Sequence, residues 1–394
     1  MSNNENKRQK RDHGEGSITL RKDGKWTARV QLGTKADGKP KIKAIYGKSE
    51  SEVKRKLKEF KKNINNLPSE AVRNLSIETY ILNWLYTYKR NILKPASFDR
   101  VESTIKNHIL PNIGFLKIAT LRQDDIQGMF NDMYNKGLSH SSIKKAKDAL
   151  NSCFKHAIIR DDIIKNPMLG TSIPSLSQFS KKEITFFSKE EISNLKTELF
   201  RKYKTSKRVY VYSDAYILIL NTGLRMGEAL SLKWTDVDFD KKIMRIQRNL
   251  ILAKKRNDAG EVTAKGYNLV IQDTTKSYAG ERIIHLNANA LQALENLKKP
   301  NKNYEYIMTN TNGNIIPPHN FDRTFYRALE NTGLKKCGVH SLRHTFASML
   351  FQNGVDVKTV SELLGHSDIT ITYNTYIHLI KEQKANAVNL IVDM

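Results

Sequence analysis

Near the N-terminus, apolar residues recur at every second position. Ile18 and Leu20, then Ala28, Val30 and Leu32, keep this period on either side of Lys22-Asp23-Gly24-Lys25. Such alternation is the pattern of a half-buried strand, and Asp-Gly between two such runs marks a hairpin. The sequence therefore predicts strands over 17–20 and 26–32. A second Asp37-Gly38 turn leads to a third strand over 41–46. The period then changes to that of a helix. Ser49 or Ser51 caps a run to about Ile64, with Val53, Leu57, Phe60 and Ile64 as its buried stripe. The unit expected over residues 1–70 is a three-stranded sheet backed by one helix.

From residue 71 to 170 the pattern is helical throughout. One stripe is Ile77, Tyr80, Ile81, Trp84 and Leu85. The next is Val101, Ile105 and Ile109, stopped near Pro111. A third is Ile126, Met129, Phe130 and Met133 before Gly137. The longest, over 141–160, carries Ile143, Ala146, Leu150 and Phe154. A polar linker over 171–184 follows, with Pro174, Ser175 and Lys181. Residues 185–394 read as a mainly helical domain with a β-insert between about residues 242 and 286. The fold class is thus multidomain and mainly α with small β elements.

Charge alters the picture more than any other bulk property. Of 394 residues, 66 are Lys or Arg and 40 are Asp or Glu, a net of +26. Residues 1–65 hold 19 basic against 8 acidic residues, so the excess is densest there. This favours a polyanionic partner, nucleic acid above an anionic membrane. No uncharged apolar run approaches the roughly 20 residues of a membrane span. The N-terminus lacks the apolar core of a secretion signal. Two cysteines, Cys153 and Cys337, make no disulfide framework, which fits a reducing cytoplasm.

The candidate chemistry lies in the last 170 residues. Arg225 stands in Thr-Gly-Leu-Arg-Met-Gly-Glu. His340 and Arg343 stand in His-Ser-Leu-Arg-His, His366 in Leu-Leu-Gly-His, and Tyr376 in Asn-Thr-Tyr-Ile-His. Guanidinium groups match phosphate oxygens in pairs, and imidazoles exchange protons near neutral pH. A phenol is a weak nucleophile until neighbours activate it. Together these groups suit holding a phosphodiester and attacking it. Glu228, three residues past Arg225, shares its helical face and can orient it. A metal cluster of Cys337, His340, His344 and His366 is the competing reading, but its spacing matches no usual zinc pattern. His344 reads as a packing or hydrogen-bonding residue.

In this order, the four motifs resemble the signature of the tyrosine recombinases, the phage-type integrases. The N-terminal part is similar to the integrases of conjugative transposons. The resemblance covers residues from about 76 to the end. It implies an arm-type DNA-binding domain over 1–70, a core-binding domain over 71–170 and a mixed α/β catalytic domain over 185–394. Tyr376, rather than Tyr373, would be the nucleophile, forming a 3′-phosphotyrosyl link. Arg225 and Arg343 would hold the phosphate with His340 and His366. Lys276, six residues before Arg282, matches the family's hairpin lysine, the proton donor to the leaving oxygen.

No cofactor or metal is implied. Double-stranded DNA, a homo-tetramer on two duplexes, and an excisionase or bending protein are the implied partners, with no membrane. The site of action would be the bacterial cytoplasm, on the nucleoid. Lys22, Lys25, Trp26, Arg29, Lys41 and Lys43 are the arm-domain candidates for DNA contact. The tail over 381–394 would pack on a neighbouring protomer or on its own domain. Two alternatives remain at this point: a type IB topoisomerase-like enzyme, and a noncatalytic DNA-binding protein that only grips phosphate.

Overall fold

A computed structural model of the chain describes residues 17–21, 23–34, 40–65, 69–179, 185–257, 260–273, 281–299, 304–310, 312–377 and 380. Its contacts separate into two units, Met1–Leu93 with Arg100–Phe179, and Lys94–Asp99 with Ser180–Met394. Lys22, Lys276, His378 and the tail over 381–394 lie outside the described residues.

In the first unit, β1 (Ser17–Leu20), β2 (Trp26–Thr34) and β3 (Pro40–Gly47) form an antiparallel sheet in that order. Ile18 pairs with Ala28, and Ala28 with Ile45. Residues opposite one another across strands share a face. Ile18, Trp26, Ala28, Val30 and Ile45 therefore lie on the side covered by the helix Glu50–Asn65, where Val53 and Leu57 complete the core. Ser49 caps that helix: its Oγ accepts from the Glu52 N–H at 3.2 Å.

The helices that follow agree with the apolar pattern, with two corrections. Pro111 does not stop the second stripe. A wider π turn, Ile105–Ile109, intervenes, and Pro111 then falls in the first turn of Leu110–Ile113, where its missing N–H is not needed. Val101 is only half-buried, whereas the neighbouring Glu102 is fully buried. Its carboxylate accepts from Tyr86 and from Lys106 Nζ, the latter at 2.8 Å, so a satisfied charge, rather than Val101, takes the buried position. The long helix spans His140–Ile159 and is capped by Ser139.

The second unit is also mainly helical. Its strands are β4 (Val237–Asp238), β5 (Ile243–Ile246), β6 (Arg248–Arg256), β7 (Val262–Asp273) and β8 (Arg282–His285). They make one small sheet in the order β4-β5-β8 and a separate β6-β7 ribbon. The helix Ser213–Thr222 is buried on nearly every side and packs against Ala288–Lys298 and His340–Gln352. Gly223 ends it in the left-handed region, at φ 65°. A Cβ there would lie 2.5 Å from Phe346 Cδ1 on the helix His340–Gln352. This glycine thus lets the turn carrying Arg225 approach the helix carrying Arg343. Among the described residues no helix is long and apolar enough to cross a membrane.

Gly223→Ala combines left-handed strain with overpacking, each costing about 1–3 kcal/mol. Denaturant unfolding should show a loss of about 2–6 kcal/mol. An unchanged midpoint would mean the turn is not held as described.

Candidate active site

The helix Val357–Leu364 ends at Gly365, left-handed at φ 64°, and its last carbonyls have no partner within the helix. Three guanidinium groups supply partners. Arg282 Nε donates to the Leu363 carbonyl at 2.9 Å, Arg343 Nη2 to that of Leu364 at 2.7 Å, and Arg225 Nη2 to that of Gly365 at 3.0 Å. Cations are favoured at this end of a helix. Arg343 Nη1 also donates to the Gly223 carbonyl at 2.7 Å, and its side chain is among the largest fully buried ones. Burial first, then the charge of Arg225, lowers its pKa to about 9, so it remains a cation at neutral pH.

Glu228 holds this cluster of like charges together. Its Oε1 accepts from Arg225 Nη1 at 2.7 Å and its Oε2 from Arg282 Nη2 at 2.8 Å. Oε2 also accepts the Arg225 backbone N–H at 3.0 Å, capping the short helix Met226–Leu230. That helix is barely more than one turn, so the carboxylate organises this end and the helix dipole adds little. Burial opposes ionisation of Glu228, but the Arg282 hydrogen bonds and both cations outweigh it, holding the pKa at about 2.

Arg282 carries none of the sequence motifs and was not among the candidate residues. It begins β8, where Ile284 is buried and Ile283 exposed, so it shares the inward face with Ile284. Its side chain is 7% exposed. An apolar pair flanked by Arg and His does not reveal which charged residue points inward.

His366 follows Gly365. Its Nε2 lies 2.9 Å from Arg343 Nη2, and its Nδ1 2.7 Å from Thr372 Oγ1. A guanidinium can only donate, so Nε2 accepts and the ring proton sits on Nδ1, donating to Thr372. Desolvation, then Arg343 and Arg225, lowers the His366 pKa to about 4. His340 lies at the start of its helix, with its ring 4.7 Å from that of His344 in an edge-on contact. The residue is exposed at the surface, and the protein packed around its ring removes only part of its hydration. That desolvation, then His344 and Arg343, lowers its pKa to about 4.

Tyr376 is only 1% exposed and packs with Ala347, Phe351, Val360 and Leu364. Its Oη lies 2.7 Å from His344 Nδ1. Burial raises its pKa above the ordinary phenol value, while Arg343 pulls the other way. Tyr373, the alternative, is 37% exposed. Among the described residues, no group of three or more His, Cys, Asp and Glu side chains could hold a metal ion.

The arm-domain candidates are scattered. Lys25 lies exposed in the β1–β2 turn. Arg29 is exposed on the outer face of the sheet, where its register partner is Ala44, with Ile42 and Tyr46 on the same face. Trp26 belongs to the opposite, helix-covered face and packs on the core, and Lys43 shares that face by register while staying exposed. The side chain of Lys41 lies outside the described residues.

Comparison with known proteins follows the same lines. The model of the "Phage integrase family" matches residues 186–383, and that of the "Phage integrase, N-terminal SAM-like domain" matches 76–134. A "Tyrosine recombinase XerC-like" protein of Caldanaerobacter subterraneus subsp. tengcongensis is 31% identical, over 95% of this chain and 97% of its own length. Among solved structures, the Tn1549 transposon integrase in complex with transposon right end DNA is similar, with a TM-score of 0.64 and 23% identity. That match covers 80% of this chain and 99% of the other. A lambda integrase tetramer bound to a Holliday junction matches with a TM-score of 0.57 and 17% identity, covering 93% and 96%.

Glu228→Gln leaves two cations around a neutral amide, and breaking a buried pair costs about 3–5 kcal/mol. The pH dependence follows from the depressed pKa. Stability from the Glu228 charge is complete above its ordinary value of 4.5 and is lost as pH falls toward about 2. Denaturant titrations should show this acid limb in the native protein and a flatter one in the variant. Identical limbs would mean Glu228 is not the ionised centre.

Proposed function

The chain belongs to the phage integrase family, the tyrosine recombinases, and on that premise we propose that it integrates and excises a mobile genetic element of the conjugative-transposon type. Tyr376 Oη attacks the scissile phosphate, and a 3′-phosphotyrosyl bond replaces the bond to the 5′ oxygen. Arg225 and Arg343 hold the nonbridging oxygens and stabilise the charge that develops on them. Lys276 protonates the leaving 5′ oxygen, a role supported by its place in the motif. The phosphodiester energy is kept in the link to the protein, so a 5′-hydroxyl from the partner duplex reverses the step and exchanges strands.

One observation carries this reading. Arg225, Arg343 and His366, far apart in sequence, meet at the end of a single helix, and the helix that bears Arg343 also bears the partner of Tyr376 Oη. With His366 neutral and Glu228 offsetting one of the three arginine charges, an excess of positive charge remains in the centre, suited to an anion. Nine-tenths and more of the lambda integrase chain solved as a tetramer on a Holliday junction matches this one, which supports double-stranded DNA and a tetramer on two duplexes as partners. We assign arm-site binding to residues 1–70, with Arg29 and Lys25 on its open surfaces, core-site binding to 71–170 and cleavage to 185–394. Tyr376 is almost wholly buried, so DNA binding must open access to its hydroxyl where it lies against His344. An excisionase or bending protein completes the proposed assembly.

Tyr376→Phe should abolish covalent protein–DNA adducts on nicked substrate while leaving DNA binding nearly intact, because only a hydroxyl is lost. Gel assays on this variant and on Tyr373→Phe decide the nucleophile. Adducts that persist in the first and vanish in the second would sink the assignment. Arg225→Ala should slow single-turnover cleavage by about 10²–10³. Its salt dependence of binding should fall by only about one phosphate contact. Cleavage at the native rate on saturating DNA would favour the noncatalytic reading.

A further inference from the structure

We propose that His344 is a further catalytic residue, the group that takes the proton from the Tyr376 hydroxyl as its oxygen attacks phosphorus. The proposal rests on Tyr376 being the nucleophile. Among the described residues, geometry selects His344 from the three histidines of the centre, His340, His344 and His366. Its Nδ1 is the nitrogen within hydrogen-bond distance of Tyr376 Oη, at 2.7 Å. His366 has one nitrogen on Arg343 and the other on Thr372, so it can accept a proton only by releasing Arg343. His340 meets His344 edge-on, and among the described residues no hydrogen bond joins it to the phenol.

The direction of the bond follows from the chemistry of the two groups. A phenol is the better donor and an imidazole nitrogen the better acceptor. The Tyr376 O–H therefore donates to an unprotonated Nδ1, and the His344 proton sits on Nε2. Among the described residues, the charged and titratable groups facing His344 are His340 and Arg343 from its own helix and Tyr376 from the C-terminal segment. Desolvation first, then Arg343, lowers the His344 pKa, so the Nδ1 lone pair is available at neutral pH. A phosphate bound by Arg343 adds negative charge nearby and offsets the cost of forming the imidazolium. Spacing makes the arrangement compact. Arg343 and His344 are successive residues of one helical turn, so the group that grips the phosphate and the group that takes the proton move together.

The step balances. The Oη–P bond forms as the P–O5′ bond breaks, the phenol proton passes to His344 Nδ1, and the 5′ oxygen takes a separate proton from the Lys276 ammonium. In the reverse step His344 returns its proton to the phenolate oxygen, and the attacking 5′-hydroxyl gives its own to Lys276.

The test uses the full chain and a nicked duplex spanning the element end that adjoins its coding sequence. In His344→Asn the amide oxygen can take the place of Nδ1 but cannot accept a proton. Single-turnover adduct formation should fall by about 10²-fold or more with DNA affinity unchanged. The fall in native rate at acid pH should disappear from its profile. Replacing the bridging 5′ oxygen by sulfur should not rescue the variant, since the leaving group is not at fault. Native rate and native pH profile in His344→Asn would overturn the proposal, as would full rescue by the sulfur substrate. Nitrogen NMR of the native His344 ring gives a check that needs no variant. An unprotonated, hydrogen-bonded Nδ1 at neutral pH supports the proposal, and a protonated Nδ1 overturns it. Adducts surviving in Tyr376→Phe would instead remove the reading beneath it.

Discussion

Three arginine side chains end on three consecutive carbonyl groups, those of Leu363, Leu364 and Gly365, and the arrangement of the candidate active site depends on that convergence. A helix terminus offers carbonyls with partial negative charge and no internal partners. Each guanidinium presents a rigid fork, so bonds to successive carbonyls fix orientation as well as position. The three arginines come from different elements: the turn after Ser213–Thr222, strand β8 and the helix His340–Gln352. Joining them to one helix end locks together segments more than a hundred residues apart. His366, directly after Gly365, is placed by the same construction.

Like charges at this density repel, and two features contain the repulsion. Glu228, buried between Arg225 and Arg282, neutralises one charge and orients both partners. His340 and His366, each lowered to about 4, stay neutral and add none. What remains is an excess of fixed positive charge in a partly dry site. A bound phosphate would relieve it, and the pentacoordinate state, with more charge on its oxygens, would relieve it further. Preorganised donors of this kind need little rearrangement when the charge appears. Tyr376, by contrast, is stored in the apolar cluster with Phe351 and Leu364, its hydroxyl tied to His344.

Much of this was legible in the sequence because it rests on periodicity and motif order. The sheet and its helix follow from alternation around two Asp-Gly turns, and Arg343 and His340 share a face because they are three residues apart. What escaped notice depends on phase. Arg282 precedes two isoleucines, and nothing local says that it, like Ile284, faces inward. Trp26 looked like a contact residue for DNA, yet its register puts it with Ala28 on the helix-covered face. Glu102 breaks an apolar stripe because Tyr86 and Lys106 satisfy its carboxylate from other turns. His344 reads as a packing or hydrogen-bonding residue, and its proximity to Tyr376 emerges only when the segment bearing Tyr376 packs against its helix.

In the proposed reaction one phenol of this chain exchanges one phosphodiester bond for a bond to protein. Mass spectrometry of the trapped complex tests it most directly. The full chain is incubated with nicked element-end DNA, the complex is digested with protease and nuclease, and the nucleotide-bearing peptide is sequenced. A single modified residue, Tyr376, joined through a 3′-phosphate, is the expected product. A nucleotide on Tyr373 or another side chain, a 5′-phosphate linkage, or strand breaks with no nucleotide left on the protein would contradict it.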